Sequence, residues 1–312
     1  MVQMAHDIGK RVECVTNGTL LDDEMIHALA GAGMNQIWIS VDGLTEEVYD
    51  SIRLHGDLQV IQENIRRIGE IRKTLIGKDL ELGLTFVAMR DNIHQLTNLM
   101  NLAYKMDAGH VKITHVLPYT PEMVDQALYM HTLRTQAFLQ REWGEGEYHE
   151  DGRDGGASHV DFPIMDLDDV TIMPVADMLK TANSNSFSTM GMPLMRKENY
   201  CRFVQEGLVF VKWNGEITQC MALLHPSVTY LHGYRREIKP YSFGNLADQT
   251  LAEVWGSADY VAFRDKVKRF DFAYCTTCGG CYRIESNEED CFGNEHPACG
   301  ACLWAQGFIQ CP

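Results

Sequence analysis

One stretch of the chain decides the fold: residues 275–311, CTTCGGCYRIESNEEDCFGNEHPACGACLWAQGFIQC. Its first three cysteines, Cys275, Cys278 and Cys281, are spaced by two residues each, which allows successive thiolates to turn towards one centre. The pair Gly279-Gly280 permits the tight backbone path that such a turn requires. The stretch therefore predicts a metal module held by cysteines in the C-terminal third of the protein.

Cysteine usage in the whole chain supports the same interpretation. Nine of the ten cysteines lie in residues 201–312, and Cys14 stands alone outside them. Clustered thiols are usually metal ligands in a reducing compartment and disulfides in a secreted protein. The first fifteen residues contain no apolar core of a signal peptide, and no apolar run reaches the ~20 residues that cross a bilayer. We therefore expect a cytoplasmic protein with metal-binding thiols and no membrane partner.

Two kinds of metal fit the spacing of these cysteines. A four-iron–four-sulfur cluster takes four thiolates, so two clusters need eight. A structural zinc ribbon is the alternative, because two C-x2-C pairs, at 275–278 and 299–302, are separated by 20 residues. Zinc would leave Cys281, Cys291 and Cys311 without a role, which favours iron–sulfur clusters. The candidate ligands are Cys201, Cys220, Cys275, Cys278, Cys281, Cys291, Cys299, Cys302 and Cys311.

Strands and helices alternate in the N-terminal part of the chain. The predicted strands are residues 12–18, 36–43, 81–89 and 110–120, and the predicted helices are residues 20–33, 60–77 and 94–107. The strand QIWISVDG (36–43) is nearly all apolar, as in strands that are buried on both faces. Alternation of this kind forms a parallel sheet or a (β/α) barrel, so the predicted fold class is α/β.

Composition divides the chain into three predicted parts. Residues 1–140 form the strand–helix part. Residues 141–198 include a Gly-rich and acidic run typical of a surface loop, and are predicted to be a flexible linker or insert. Residues 199–312 form the cysteine-rich part, which opens with a hairpin around Asn214-Gly215. The net charge of −16 disfavours nucleic acid as a partner, because proteins that bind it concentrate Lys and Arg.

The cysteine-rich part resembles the SPASM domain of radical S-adenosylmethionine (SAM) enzymes. That module begins with a cysteine, continues with a hairpin and Gly-x4-Cys, and ends in a second cysteine block. Cys201, the segment GEITQC (215–220) and the segment FGNLADQTLAEVW (243–255) match its opening and its gap. The second block departs from the usual C-x2-C-x5-C-x3-C, because it reads C-x2-C-x2-C-x9-C before three more cysteines. The assignment of individual thiols to two auxiliary four-iron–four-sulfur clusters is therefore left open.

The N-terminal part is similar to the same superfamily in three segments: VTNGTLL (15–21), WISVDG (38–43) and VYDSIR (48–53). The resemblance implies a partial radical-SAM (β/α)6 TIM-like barrel, strands 3–6, with Ser40 and Arg53 as contacts of SAM and Asp42 beside them. Asn17 is a further candidate, since barrels place their active sites where strands end. In the alternative interpretation, Asn17-Gly18 is only a turn and Ser40–Asp42 only the end of a strand.

One departure from the family limits the expected activity. The C-x3-C-x2-C motif that holds the catalytic cluster in radical SAM enzymes is not in the chain. The resemblance therefore predicts a protein shortened at its N-terminus that cannot initiate radical chemistry by itself. The complete protein is expected to hold SAM and a third, catalytic four-iron–four-sulfur cluster.

Two short segments suggest a substrate. CGACLWAQGFIQCP (299–312) and MALLHP (221–226) look most like the maturases of tungsten-containing aldehyde:ferredoxin oxidoreductases, which are thought to modify the tungsten–pterin cofactor. The expected partners are that oxidoreductase or its cofactor, and an electron donor such as ferredoxin. The alternatives are a peptide- or sulfatase-modifying enzyme of the same class, and a non-catalytic metal-binding or electron-transfer protein. A doubly wound NAD or pterin enzyme is disfavoured, because no G-x-G-x-x-G follows a strand.

Overall fold

A parallel sheet organises the N-terminal part. The computed structural model describes residues 1–53, 57–75, 80–130, 132, 159–161, 163–166, 168–181, 187–189, 192–193, 201–278, 280–305 and 307–309. Within these residues, seven strands form one sheet in chain order, of which the first six are parallel and the last is antiparallel. The strands are β1 (Glu13–Thr16), β2 (Gln36–Ser40), β3 (Glu81–Ala88), β4 (His110–His115), β5 (His159–Asp161), β6 (Phe187–Thr189) and β7 (Met192–Pro193). The predicted α/β class is confirmed, and β1–β4 lie where the sequence predicts strands.

Helices connect these strands. They are α1 (Val2–Asp7), α2 (Asp23–Gly31), α3 (Glu46–Ile52), α4 (Leu58–Thr74), α5 (Leu96–Lys105), α6 (Pro121–Val124) and α7 (Ile172–Thr181). Helix α2 begins at a side-chain cap, since the Asp22 carboxylate accepts a hydrogen bond from Met25 N at 2.8 Å. Asp57 caps α4 in the same way, accepting from Val60 N at 3.1 Å. No helix among the described residues is long and apolar enough to span a bilayer.

The two faces of the sheet differ in polarity because side chains alternate along a strand. One face is apolar and packs on the helices through a core that includes Ile37, Ile39, Leu84 and Phe86 of the sheet, Ile61, Ile65 and Ile68 of α4, and Leu99 of α5. The other face carries Trp38, Ser40, Thr85 and Lys112. The strand register places Ser40 opposite Thr85 and Thr85 opposite Lys112, so polar side chains form a row across three strands.

The segment predicted as linker or insert contributes to this sheet. Strand β5 pairs with β4, and β6 pairs with β5, both in parallel. Residues 141–198 thus include strands of this sheet, and the division of the chain into three parts stays a prediction. Each of these strands is only three residues long, too short for the period of two that reveals a strand in sequence. The Gly-rich run at 144–158 lies outside the described residues.

The cysteine-rich part contains small sheets and short helices. Its elements are α8 (Arg202–Gln205), β8 (Phe210–Val211), β9 (Glu216–Thr218), β10 (Ser227–Leu231), β11 (Tyr234–Ile238), β12 (Gly244–Asn245), α9 (Leu251–Gly256), α10 (Ala258–Arg269) and α11 (Cys275–Cys278). Strands β8 and β9 form the predicted hairpin, and Gly215 has a φ of +85° in its turn. Strands β10 and β11 form a second hairpin that the sequence did not predict.

The C-terminal tail packs over the ends of β3 and β4. Its residues Leu303, Phe308 and Ile309 share an apolar cluster with Met89, Val116, Leu117 and Tyr129 of the N-terminal part. The Tyr129 ring lies 5.5 Å from the ring of Phe308 and 4.9 Å from that of His115. His115 is buried, and its Nε2 lies 2.7 Å from the carbonyl oxygen of Ile164. The tail thus covers a buried histidine at the carboxyl end of the sheet.

Acid should destabilise the fold through His115. Burial lowers its pKa to about 4, against a weaker opposite effect of the Ile164 carbonyl and Asp166. Between pH 6.5 and pH 4 the unfolded chain binds a proton at this histidine that the folded chain does not. The free energy of unfolding therefore decreases as the pH is lowered through this range, by up to about 3 kcal/mol. His115→Gln should remove this part of the pH dependence, measured by urea unfolding at pH 7 and pH 5.

His27, which is exposed on α2, provides the control. His27→Gln should leave the loss of stability between pH 7 and pH 5 as it is in the parent protein. An unchanged pH dependence in His115→Gln would show that this imidazole does not couple folding to protonation.

Candidate metal centre and SAM site

The structure brings four thiols together from three parts of the chain. Cys201 precedes α8, Cys220 follows β9, and Cys299 and Cys302 begin and end one turn. Burial raises the pKa of Cys201 to about 12, with a further contribution from Cys302. The pKa of Cys299 is also raised, first by burial and then by the charges of Cys302, Cys220 and Cys201. These four residues, which we call the inner set, pack against the apolar side chains of Phe203 and Phe272.

A second group, which we call the outer set, consists of Cys275 with the nearby Cys278 and Cys291, and of Cys281, which is the third residue after Cys278 in the sequence. Helix α11 carries Cys275 and Cys278, and Gly280, with a φ of +86°, turns the chain towards Cys281. Burial raises the pKa of Cys275 to about 11, and the nearby charges of Cys291, Asp290 and Cys278 add to the effect of burial. Cys278, Cys281 and Cys291 are exposed.

Two cysteines lie apart from these sets. Cys14 is on β1 and packs against the core of the sheet. Cys311 lies outside the described residues. None of the nine cysteines that the structure describes forms a disulfide, so all eight of the inner and outer sets are available as thiolates.

The inner and outer sets are joined at Gly300. Its carbonyl accepts a hydrogen bond from Cys275 N at 3.1 Å. A Cβ at Gly300 would lie 2.1 Å from the Ala273 carbonyl oxygen and 3.2 Å from Cys275 Sγ, so only glycine fits between the two sets. Gly300 thereby fixes the distance between the two groups of thiols.

The buried carboxylate of Asp290 holds the same region from the other side. It accepts hydrogen bonds from the backbone N–H groups of Ala273, Phe292 and Asn294, each at 3.0 Å. Burial alone would raise the pKa of Asp290, but the hydrogen bonds from Ala273 and Asn294 outweigh it and lower the pKa. Asp290 thus ties the segment before Cys275 to the loop that contains Cys291.

Zinc ions and iron–sulfur clusters take thiolate ligands with different spacing. A tetrahedral zinc ion needs thiolates about 4 Å apart, because each Zn–S bond is about 2.3 Å. In the described ranges, no group of three or more His, Cys, Asp or Glu side chains is arranged to hold one ion. A cluster places an inorganic core between four thiolates, which therefore stand farther apart. Four thiols brought together, as in the inner set, have the donor atoms that such a core requires.

A polar site lies at the carboxyl end of β2. Arg53 donates from Nε and Nη2 to Asp42 Oδ2, at 3.0 and 2.5 Å, and Asp42 Oδ1 accepts from Val87 N at 2.9 Å. Ser40 Oγ lies 3.0 Å from Thr85 Oγ1. Asp42 is buried, whereas the Arg53 side chain keeps 33% of its surface exposed. The structure therefore brings Ser40, Asp42 and Arg53 together, with Asp42 holding the guanidinium in place.

Asn17 lies at the same end of the sheet. Thr16 is opposite Ile39, so Asn17 is level with the end of β2. Its Oδ1 accepts hydrogen bonds from the N–H and the hydroxyl of Thr19, at 3.1 and 2.8 Å. Asn17 and Gly18, with a φ of +78°, thus form a turn, and the exposed Asn17 remains a candidate for contact with a ligand.

Sequence reasoning missed three buried amides that shape this end of the sheet. Asn92 donates to the carbonyl oxygens of Asp42 and Val87, at 2.9 and 2.8 Å. Gln95 accepts from Leu44 N at 2.7 Å. Asn64 donates to the Gly18 carbonyl at 2.8 Å. The sequence could have indicated Asn64 as a buried amide, because it lies on the apolar face of α4 between Ile61 and Ile65.

Two family models match the chain. Residues 1–92 match the radical SAM superfamily, and residues 201–282 match SPASM, an iron–sulfur cluster-binding domain. Residues 1–92 are thus similar to radical SAM proteins and residues 201–282 to SPASM domains, as the sequence resemblance predicts. The structure of Streptococcus suis SuiB bound to S-adenosylmethionine shares the fold, with a TM-score of 0.51 and 14% identity, over 91% of this chain. The chain spans 56% of the length of that SuiB chain.

The chain is also similar in sequence to proteins of described activity. Over 317 residues the chain is 26% identical to the tungsten-containing aldehyde ferredoxin oxidoreductase cofactor-modifying protein of Pyrococcus furiosus, a match that covers 100% of this chain and 79% of that protein. It is 27% identical to the PqqA peptide cyclase of Bradyrhizobium diazoefficiens over 133 residues, or 43% of this chain and 33% of that protein. The similarity to the Pyrococcus protein thus extends over both parts of the chain.

Gly300→Ala should disrupt the junction between the inner and outer sets. The added methyl group meets backbone rather than a flexible side chain, so the turn at 299–302 must move away from Ala273. We expect a loss of about 1–3 kcal/mol in the free energy of unfolding and less iron per chain after anaerobic purification. Gly256→Ala is the control, because a Cβ there meets no atom within 4 Å. Parental iron content and stability in Gly300→Ala would contradict the tight contact.

Proposed function

We propose that the chain is part of a radical SAM/SPASM maturase that acts on the tungsten–pterin cofactor of an aldehyde:ferredoxin oxidoreductase. The observation that carries this proposal is the similarity to the Pyrococcus cofactor-modifying protein, which spans the whole chain. The grouping of the late cysteines into two sets supports the presence of two auxiliary clusters. Ferredoxin, or a similar one-electron donor, is the proposed source of reducing equivalents.

The proposed cluster ligands follow the two sets of thiols. The inner set would hold one four-iron–four-sulfur cluster, and the outer set would hold the other, with Cys311 as a ninth candidate. When bound, such clusters accept and pass single electrons. The apolar side chains around the inner set keep water from that site, whereas the exposed thiols of the outer set lie at the surface, where an electron donor can approach.

The proposed contacts of SAM are at the carboxyl ends of β1 and β2. The Arg53 guanidinium is held by Asp42 and partly exposed, so it can pair with a carboxylate without losing its position. Ser40 has hydrogen-bonding capacity beyond its bond with Thr85, because a hydroxyl is one donor and two acceptors. Asn17 lies on the neighbouring strand end. The chain contains no C-x3-C-x2-C, so the proposal for its own residues covers SAM binding and electron relay.

Metal analysis tests the proposed clusters. Protein purified without oxygen should contain about eight irons and about eight sulfides per chain, with absorbance near 400 nm characteristic of such clusters. Cys220→Ala and Cys278→Ala should each lose about four irons, and the double variant about eight, because they lie in different sets. Cys14→Ala, outside both sets, should keep the full content. One or two zinc ions and no iron would refute the proposal.

Titration with SAM tests the second site. Ser40→Ala should weaken binding about two- to tenfold, the effect of losing one hydrogen bond of roughly 0.5–1.5 kcal/mol. Ser51→Ala is the matched control, since the Ser51 hydroxyl is exposed on α3 and bonds only to the Val48 carbonyl in the described structure. Equal affinities of Ser40→Ala and the parent protein for SAM would remove Ser40 from the proposed site.

A peptide substrate is the second candidate, supported by the similarity to PqqA peptide cyclase over part of the chain. Gene context distinguishes the two candidates. A neighbouring gene for a tungsten-containing oxidoreductase favours cofactor modification, and a neighbouring gene for a short precursor peptide favours peptide modification.

A further inference from the structure

The side chain of Arg236 lies between the two sets of cysteines. This residue is on β11 and is only 6% exposed. Its Nε donates to the Ile284 carbonyl oxygen at 2.5 Å, in the helical turn that follows Cys281 of the outer set. Its Nη1 donates to the Ala301 carbonyl oxygen at 3.2 Å, in the turn between Cys299 and Cys302 of the inner set. One guanidinium thus binds the backbone of both cysteine loops.

The hydrogen-bond partners of Arg236 are neutral. Within the described residues it donates to two carbonyl oxygens, and no carboxylate there forms an ion pair with it. Burial lowers the pKa of Arg236, and the charges of Cys302, Cys275 and Cys299 oppose that effect. Arginine nevertheless keeps its proton in proteins. A buried cation without a counter-ion is strongly unfavourable, so negative charge is required nearby. Within the described residues, the thiols of Cys302, Cys275 and Cys299 are the acidic groups that act on it.

Arg235, the neighbouring residue on β11, has a different environment from Arg236. Arg235 points to the opposite face, where its side chain is 53% exposed and pairs with Glu237 at 2.6 Å. Its charge is therefore balanced by a carboxylate and screened by water. Arg235 and Arg236 carry the same charge on adjacent residues, but only Arg236 faces the thiols.

We propose that Arg236 is a positioning residue that supplies one buried positive charge to both iron–sulfur sites and raises the reduction potential of each. This inference rests on the clusters in the proposed function. A cluster ligated by thiolates becomes more negative when it accepts an electron from an external donor. A fixed cation in a site of low dielectric stabilises that added charge, and the hydrogen bonds of Arg236 keep the cation between the two loops. Because both sites share one cation, their potentials are raised together.

Potentiometric titration of the full-length protein, purified without oxygen, tests the proposal. Dithionite is the reductant, and electron paramagnetic resonance follows each cluster. In Arg236→Gln the equilibrium constant for reduction should fall at least about tenfold, equivalent to about 59 mV for a one-electron couple. Arg236→Lys retains the charge and should recover most of this difference. Arg235→Gln removes an equal charge at the surface and should leave both potentials unchanged.

The outcomes separate this inference from the proposed function. If Arg236→Gln has full iron content and the reduction potentials of the parent protein, the proposed role of Arg236 is wrong. It is also wrong if Arg235→Gln shifts the reduction potentials by as much as Arg236→Gln does. Where Arg236→Gln loses iron, Arg236→Lys decides: parental iron supports a requirement for charge, and the same loss shows that only hydrogen-bond geometry matters. A parent protein that contains zinc and no iron refutes the proposed clusters themselves.

Discussion

The close approach of the turn at 299–302 to the segment before Cys275 is the contact on which the rest of the structure depends. The hydrogen bond from Cys275 N to the Gly300 carbonyl joins two loops that each carry thiols, and a side chain at Gly300 would separate them. The same turn supplies the Ala301 carbonyl to Arg236 and leads into the tail that covers the sheet. One backbone contact thereby holds the two cysteine loops close together.

Most of the sheet could be predicted from the sequence, because β2 is a nearly continuous apolar run and α2, α4 and α5 have apolar residues at helical spacing. Helix α3 was not predicted. The nine cysteines in residues 201–312 likewise predicted a metal module. The grouping of those cysteines could not be predicted, since Cys201 and Cys220 meet Cys299 and Cys302 only through the folded chain. Strands β5 and β6 escaped detection because three residues give no period, and their order in the sheet depends on pairing with β4.

The polar site at the end of β2 shows a different limit of sequence reasoning. Resemblance identified Ser40, Asp42 and Arg53 as one group, and the structure brings them together. The three residues differ in role, however. Asp42 is buried and accepts hydrogen bonds from Arg53 and from β3, so it orients the Arg53 guanidinium. Buried amides such as Asn92 and Gln95 hold the surrounding loops, and their role depends on contacts between residues far apart in sequence.

The apolar cluster formed by Phe308, Tyr129 and their neighbours has a consequence for biosynthesis. Its tail residues emerge from the ribosome after every strand of the sheet, yet they cover the carboxyl ends of β3 and β4. Pairings between such distant segments form late in folding, since long loops must close first. Until translation passes Ile309, the growing chain leaves that apolar surface open to water, where a chaperone can bind it. Burial of this surface therefore belongs to the last stage of folding.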